Sequence, residues 1–530
     1  MTYRSSGSPS SALGAVLLAA GGAGVLTALF VLVAPYYSTQ VWWLLRSALF
    51  WIIPILIVAR LAFAAVAAAN SGNSSAAGGL SLLAIGGLLG AIGWFFAYNY
   101  NQDRVYAESI QVTTDPLPAL APRVPFSISA VQVRSNLGEV PGDVADTAYV
   151  PAAGSAPGEF TTLVERRGYF SGYETLLSQQ ITEEGRNTPE TCDFSPAAQR
   201  RLGGPLTHNL GRMINSERRF VSWEDSDAYG VCIQAPDGTA SPKVVVPLLE
   251  QEGALVVTEA PAGVAVYDGR TGDLEIRPDA RGLPGPSYPI SLAAVQREST
   301  HAMDGFWSYL TRRAGWELAA EADSVNTDNA SEFVLATDVE GDVGGAGADP
   351  ARILYVTPQT GRGAATAISA FTVADARLSG PGLAPLVVHR LGSGDPVWLS
   401  PTAITDRIRA TFGDVFAAQR DAGIYELAPL SGEEWVATIG TPQNMLYRVR
   451  GVGDLSEDPC LDALDGSRIR CGAAAGVGSA GPGLAVGPSS PGAAVAPAPA
   501  GSDLPALSDE QLLDLARRAQ DELARRLEGP

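Results

Sequence analysis

"ALGAVLLAAGGAGVLTALFVLVA" occupies residues 12–34, and its 23 residues carry no charge. At about 1.5 Å of rise per residue such a helix crosses a hydrocarbon core of about 30 Å. Pro35 follows as a stop. A secretory signal would have a shorter apolar core and a small-residue cleavage site after it. Neither is present, so the stretch is expected to stay on the chain. Further apolar stretches run from Val41 to about Ala69 and from Leu80 to Tyr98. Three transmembrane helices are therefore expected within 1–103.

The rest of the chain differs sharply in charge. Residues 1–99 hold no Asp or Glu and only Arg4, Arg46 and Arg60. All 56 acidic residues and 33 of the 36 basic ones lie beyond, a formal charge of 33 − 56 = −23. A region that acidic repels phosphate backbones, which excludes nucleic acid as its partner. Lys243 is the only lysine, so lysine chemistry would have one candidate.

Arg46 lies near the start of the second helix, where it can snorkel to the interface. Arg60 lies deeper, beyond Pro54. An arginine inside a membrane span marks a functional candidate, facing an ion path or a partner subunit. The competing reading ends the helix near Ala59 and leaves Arg60 at the headgroups. Gly86, Gly90 and Gly93 share one face of the third helix, which favours close helix approach. Packing within the chain is the simpler use of that face.

Arginine counts leave orientation undecided. Aromatic residues point one way. Tyr36, Tyr37, Trp42 and Trp43 at the first hairpin, and Trp94, Phe95, Phe96, Tyr98 and Tyr100 at the end of the third helix, fall on one side of the membrane. That side also carries the large domain. Its four cysteines, Cys192, Cys232, Cys460 and Cys471, suit two disulfides, most simply between sequence neighbours. Zinc is a poor alternative, since no C-x₂-C pair and no nearby histidine exists. Disulfides place the domain outside the cytoplasm, with the N-terminus inside, in an integral cell-membrane protein.

The fold expected is a membrane-anchored α+β chain. A proline-rich stalk, stiff and extended, covers 104–125. One α+β lobe covers 126–285 and a second 286–471, divided at "PDARGLPGPSYP" (278–289). Strands are expected at Phe126–Val133, Phe160–Glu165, "KVVVPLL" and "ALVVTEA", and a hairpin in "GVAVYDGRTGDLEI". Short helices are expected at 171–181 and 206–216. Residues 290–315 have helical spacing, with Leu292, Val295, Met303, Phe306 and Leu310 on one face. Strands follow near 331–338, 351–357, 366–375, 384–391, 434–439 and 444–450, with a helix near 402–418.

Residues 472–506 are almost only Gly, Ala, Ser, Pro and Val, a composition that cannot build a core. The last segment, 507–530, reads as an amphipathic helix. Ser508 and Gln511 make a capping box, and Leu507 and Leu512 a hydrophobic staple. Leu512, Ala516, Ala519, Leu523 and Leu527 form its apolar stripe. Such a helix needs a surface, in a partner protein, in a second copy or on its own domain.

Catalytic signatures are missing. His208, His301 and His389 are scattered, and no nucleophile elbow, S-x-x-K, H-E-x-x-H or P-loop occurs. "FVSWEDSDAYGVC" (220–232) fails the EF-hand frame, because Tyr229 and Pro236 stand where oxygen ligands belong. Irregular calcium sites in the acidic loops 321–332 and 337–345 stay open, as do paired carboxylates for hydrolysis. No catalytic residue, metal or cofactor is assigned. The expected function is a non-enzymatic cell-envelope protein whose extracytoplasmic domain binds a partner or scaffolds an assembly. The alternatives are an accessory subunit of a transporter or channel, and an envelope hydrolase.

Overall fold

The computed structural model describes residues 22–473, apart from 23, 139, 152–157, 168–171, 183–184, 204–208, 235–238, 320–332, 338–351, 378–379, 381 and 393–396. The described residues belong to one compact unit. Residues 12–21, most of the linker, the acidic loops and the C-terminal helix with Leu512, Ala516, Leu523 and Leu527 lie outside them.

Three apolar helices open the described chain: α1 (Gly24–Val33), α2 (Pro35–Asn70) and α3 (Ser74–Ala107). Pro35 starts α2 because its ring fixes φ and its missing N–H would be unpaired there anyway. Asn73 caps α3 by accepting from Ala76 N at 3.2 Å. Gly72, at φ 79°, makes the turn between α2 and α3 that a Cβ would oppose. Both long helices are apolar and long enough to cross a membrane. Only 6% and 0% of their most apolar windows are buried, which separates them from the core helices of a water-soluble fold.

The helices do not stop at the apolar stretch. Thirty-six residues make α2 about 54 Å long, well beyond a hydrocarbon core of about 30 Å. The surplus enters the domain. The α3 chain then continues into β1 (Ile110–Thr113), which pairs parallel with β15 (Leu386–Arg390). The anchor thus feeds directly into a sheet.

That sheet runs β1, β15, β14 (Ile368–Asp375), β13 (Ile353–Gly361) and β11 (Trp316–Leu318), with β12 (Phe333–Ala336) also on β13. It is covered on both faces, so β13 is buried along nearly its whole length. Leu354 and Val356 join Trp398, Phe412 and Trp435 on one face. Ile353 and Tyr355 join Leu292 and Tyr288 under α7 (Ile290–Glu298) on the other. The sheet formed by β16 (Gly423–Pro429) through β20 (Arg468–Cys471) closes the first face. Two more sheets, with helices α5 (Pro196–Leu202) and α6 (Asn209–Glu217), pack around Leu176, Val244 and Tyr267. One contains β2 (Asp143–Val150), β3 (Glu159–Glu165), β4 (Tyr173–Ile181) and β5 (Asn187–Asp193). The other contains β6 (Val221–Ser222), β7 (Tyr229–Gln234), β8 (Ala240–Glu252), β9 (Thr258–Asp268) and β10 (Leu274–Arg277).

Three local expectations are corrected. Phe126–Val133 is not a strand but the start of helix α4 (Phe126–Asn136). Phe126, Ala130, Val133 and Leu137 also fit helical spacing, and three of them are buried. Residues 171–181 are not a helix but contain the strand β4. Lying between β3 and β5, it buries Thr175, Ser178 and Gln179 as well as its leucines, which hides the alternation. Residues 290–315 are not one helix. Helix α7 gives way to a 3-10 turn at Ser299–Ala302, and α8 (Phe306–Leu310) restarts after Gly305 at φ 88°. Leu292 is buried as expected, whereas Leu310 is exposed.

The proline-rich segment is extended but does not stand free. Leu117, Leu120 and Val124 are buried, and Leu120 N and Ala121 N donate to Leu430 O and Ala336 O. Residues 278–289 run between two sheets and are fastened to both. Tyr229 donates to Pro284 O and Pro286 O, while Ser287 N and Tyr288 N donate to Ala376 O.

Candidate functional site

The acidic stretch 220–232 splits into different fates. Glu224 and Asp225 are exposed, but Asp227 is only 5% exposed. A single 3-10 turn, Asp225–Asp227, points the Asp227 side chain inward. Its carboxylate accepts from Ser291 N at 3.0 Å and Ser291 Oγ at 2.6 Å, and from the Ile290 amide. These are unpaired donors at the start of α7, whose own N-cap, Pro289, offers no side-chain acceptor. Asp227 therefore caps a helix more than sixty residues away.

Burial pushes the Asp227 carboxyl up to about 6, and the bonds from Ser291 and Ile290 offset only part of this. Between about pH 4 and 6 the folded chain holds a proton that the unfolded chain has lost. This group's stabilisation is present below the unfolded pKa and lost as pH rises through about 6. Asp227→Asn removes that slope. Denaturant melts of both chains should show the native form losing about 3 kcal/mol relative to the variant between pH 4 and 7. Parallel curves across that range would refute the assignment.

Asp227 borders a cleft of about 640 Å³ between α4, β2 and the start of α7. Its walls set apolar and aromatic side chains, among them Phe126, Tyr149, Tyr229, Ile290 and Tyr355, beside the polar Thr147, Ser226 and Ser291. Two of its phenols are already engaged, Tyr229 with the proline carbonyls above and Tyr355 with Tyr288 O at 2.6 Å. Arg134 sits exposed at the rim. Among the described residues no His, Cys or Lys lines it, and its one hydroxyl–carboxylate contact, Ser291 with Asp227, is the cap of α7. Such a cleft can hold an apolar or aromatic group and place an anion near Arg134.

A second structural centre lies where the helices meet the domain. Trp43 Nε1 donates to Phe220 O at 3.1 Å. Arg46 donates to Gln251 O at 2.8 Å and also to Gly253 O. Gln102 Nε2 donates to Val257 O at 2.8 Å, Tyr98 Oη accepts from Val257 N at 3.3 Å, and Tyr106 Oη accepts from Glu259 N at 2.6 Å. His301 continues this collar. Its Nε2 lies 2.9 Å from Asp103 Oδ2 and its Nδ1 lies 3.2 Å from Arg362 Nη2. Tyr98, Gln102 and Tyr106 recur every four residues, a readable sign of one helix face continuing past the apolar stretch.

The remaining sequence candidates separate. Cys192 lies at disulfide distance from Cys232, and Cys460 from Cys471, with Cα–Cα distances of 6.1 and 4.0 Å. Glu190 approaches the first pair closely enough to suggest a metal group, but sulfurs bonded to each other offer no thiolate. His389 Nδ1 lies 3.0 Å from Asp115 O, and Lys243 pairs with Asp268 at 2.7 Å. His208 lies outside the described residues. Arg60 is exposed on α2, far from the cleft-forming residues in sequence and from the collar along the helix. The cleft and the Asp227 cap escaped the sequence because their residues come from segments far apart in the chain.

No protein-family model, no curated protein and no solved structure matches this chain.

Proposed function

We propose that this is a non-enzymatic, membrane-anchored cell-envelope protein whose extracytoplasmic domain is a binding platform held at a fixed height above the bilayer. The continuity of α2 and α3 with the domain carries this reading. Nineteen residues of α2 beyond Trp51 and twenty of α3 before Trp94 span roughly 29 and 30 Å, close to the hydrocarbon thickness. Above that level come an aromatic band and then the collar of hydrogen bonds. A platform fixed this way suits scaffolding better than a freely swinging tether would. The first apolar stretch makes a third span, with the N-terminus cytoplasmic, and the paired cysteines suit an oxidising outer compartment. A protein partner engages the cleft or the C-terminal helix.

The topology has a direct test. In sealed right-side-out vesicles, a thiol introduced as Ser71→Cys should react with an impermeant reagent only after permeabilisation. The native cysteines should react only after reduction, with no permeabilisation needed. Ready labelling of Ser71→Cys from outside would overturn the orientation. Capture from mild detergent, with and without residues 507–530, tests the helix; an identical partner set would remove its role.

The reading as an accessory subunit of a transporter or channel is favoured by one observation, the exposed Arg60 on an apolar helix. The hydrolase reading gains no support from the cleft: among the described residues its one carboxylate, Asp227, is committed to α7.

A further inference from the structure

Arg60 stands nine residues beyond Trp51 and ten before Asn70, about 14 and 15 Å from the two ends of the apolar stretch at about 1.5 Å per residue. If the hairpin spans the bilayer as proposed above, this is its middle. Snorkelling serves arginines near helix ends, not one half a bilayer from either headgroup layer. Arg60 is exposed on the hairpin and makes no hydrogen bond or ion pair among the described residues. Residues 1–99 contain no Asp or Glu. Neither the chain's own spans nor the spans of a second copy therefore offers a countercharge at this depth.

A second observation comes from α3. Gly87 faces α2, where a Cβ would lie 3.2 Å from Val58 and 3.9 Å from Leu61. Gly86, Gly90 and Gly93 do not face α2, and among the described residues nothing lies within 4 Å of a Cβ at any of them. With Gly87, Val58 and Leu61 marking the contact line, a turn of about 100° per residue puts Arg60 and this glycine stripe on the same side of the antiparallel hairpin. Gly86, eight residues before Trp94, is about 12 Å deep, close to the level of Arg60. A helix seated there can approach the α3 backbone closely and present a side chain to the guanidinium.

We infer that this side of the hairpin docks a transmembrane helix of a different protein that carries Asp or Glu near mid-bilayer depth. The carboxylate supplies the charge that this chain lacks, and the open glycines supply the close approach. The inference rests on the membrane-spanning reading, and the experiment separates the two.

The full chain, carrying a donor dye on Ser71→Cys, is reconstituted in phosphatidylcholine vesicles. The probes are leucine-rich transmembrane peptides with an acceptor dye and either one central Glu or only leucines. Energy transfer should show the Glu peptide binding at least tenfold more tightly than the all-leucine peptide. Arg60→Leu should abolish that preference, and Arg60→Lys should retain most of it. Gly90→Leu should weaken binding of the Glu peptide several-fold while Arg60 is intact. Equal binding of the two peptides, or a preference that survives Arg60→Leu, overturns the inference. So does a Gly90→Cys thiol that cross-links to a cysteine placed within residues 12–33, or to a second copy, and not to the Glu peptide. Arg60→Leu makes α2 more apolar, so loss of insertion does not explain a lost preference. The dye position reports the other reading: if it lies on the same side of the sealed vesicle as the domain, the membrane-spanning reading fails instead.

Discussion

Replacing Arg123 with methionine should lower the unfolding free energy of the domain by about 3–5 kcal/mol, the largest effect expected of any single side chain here. Arg123 Nη2 lies 2.5 Å from Glu426 Oε1, and the two side chains are only 2% and 8% exposed. Arg123 also donates to Val124 O at 3.2 Å and stands over the Tyr149 ring, 5.3 Å from its centroid. Glu426 accepts from the Phe126 amide as well, so the pair ties the proline-rich segment and the start of α4 to β16. Burial pushes the Glu426 carboxyl up, with Arg123 the main opposing influence. Without Arg123 a buried carboxylate loses its countercharge, and that loss, rather than the pair's net worth, sets the cost. The double variant Arg123→Met with Glu426→Leu should therefore recover much of the lost stability. Denaturant melts in detergent micelles would measure both. A single-variant cost below about 1 kcal/mol, or a double variant no better than the single, would contradict the account.

Removing the Cys192–Cys232 link should cost roughly 4 kcal/mol in the chain-entropy picture, since it closes a separation of 40 residues. Removing Cys460–Cys471, with a separation of 11, should cost roughly 3 kcal/mol. The first link also joins β5 to β7, strands of different sheets that share the core around Leu176 and Val244. The second closes one hairpin, β19 (Cys460–Asp462) to β20. Melts of the Cys192→Ala/Cys232→Ala and Cys460→Ala/Cys471→Ala pairs should rank in that order. The reverse order would show that the unfolded chain, or packing around the hairpin, outweighs loop length. Insensitivity of the native chain to reductant would show that the cysteines are not bonded.

Local pattern sufficed for several features. Long apolar runs, interrupted in the second only by Arg46 and Arg60, signal the two long helices, because runs of that length with so little charge have no economical place in a water-soluble domain of this composition. The strands β13, β14, β15, β17 (Glu434–Gly440) and β18 (Met445–Val452) fall close to their expected places, where β-branched residues alternate between turn signals. The neighbour pairing of the cysteines matches the observed proximity. Pattern misled at α4, where periods of 2 and 3.6 both fit the same few residues, and at β4, where a central strand buries polar residues.

Tertiary structure decided the features that matter most for function. Arg46 and Arg60 both interrupt the second apolar run, yet Arg46 bonds carbonyls of Gln251 and Gly253, and Arg60 is left exposed on the apolar helix. Asp227 resembles its acidic neighbours until Ser291, far along the chain, closes over it. Periodicity reports which face of a segment is apolar, and that is local. A polar group's fate depends on which donors and acceptors the rest of the fold brings within about 3 Å, and no local pattern carries that.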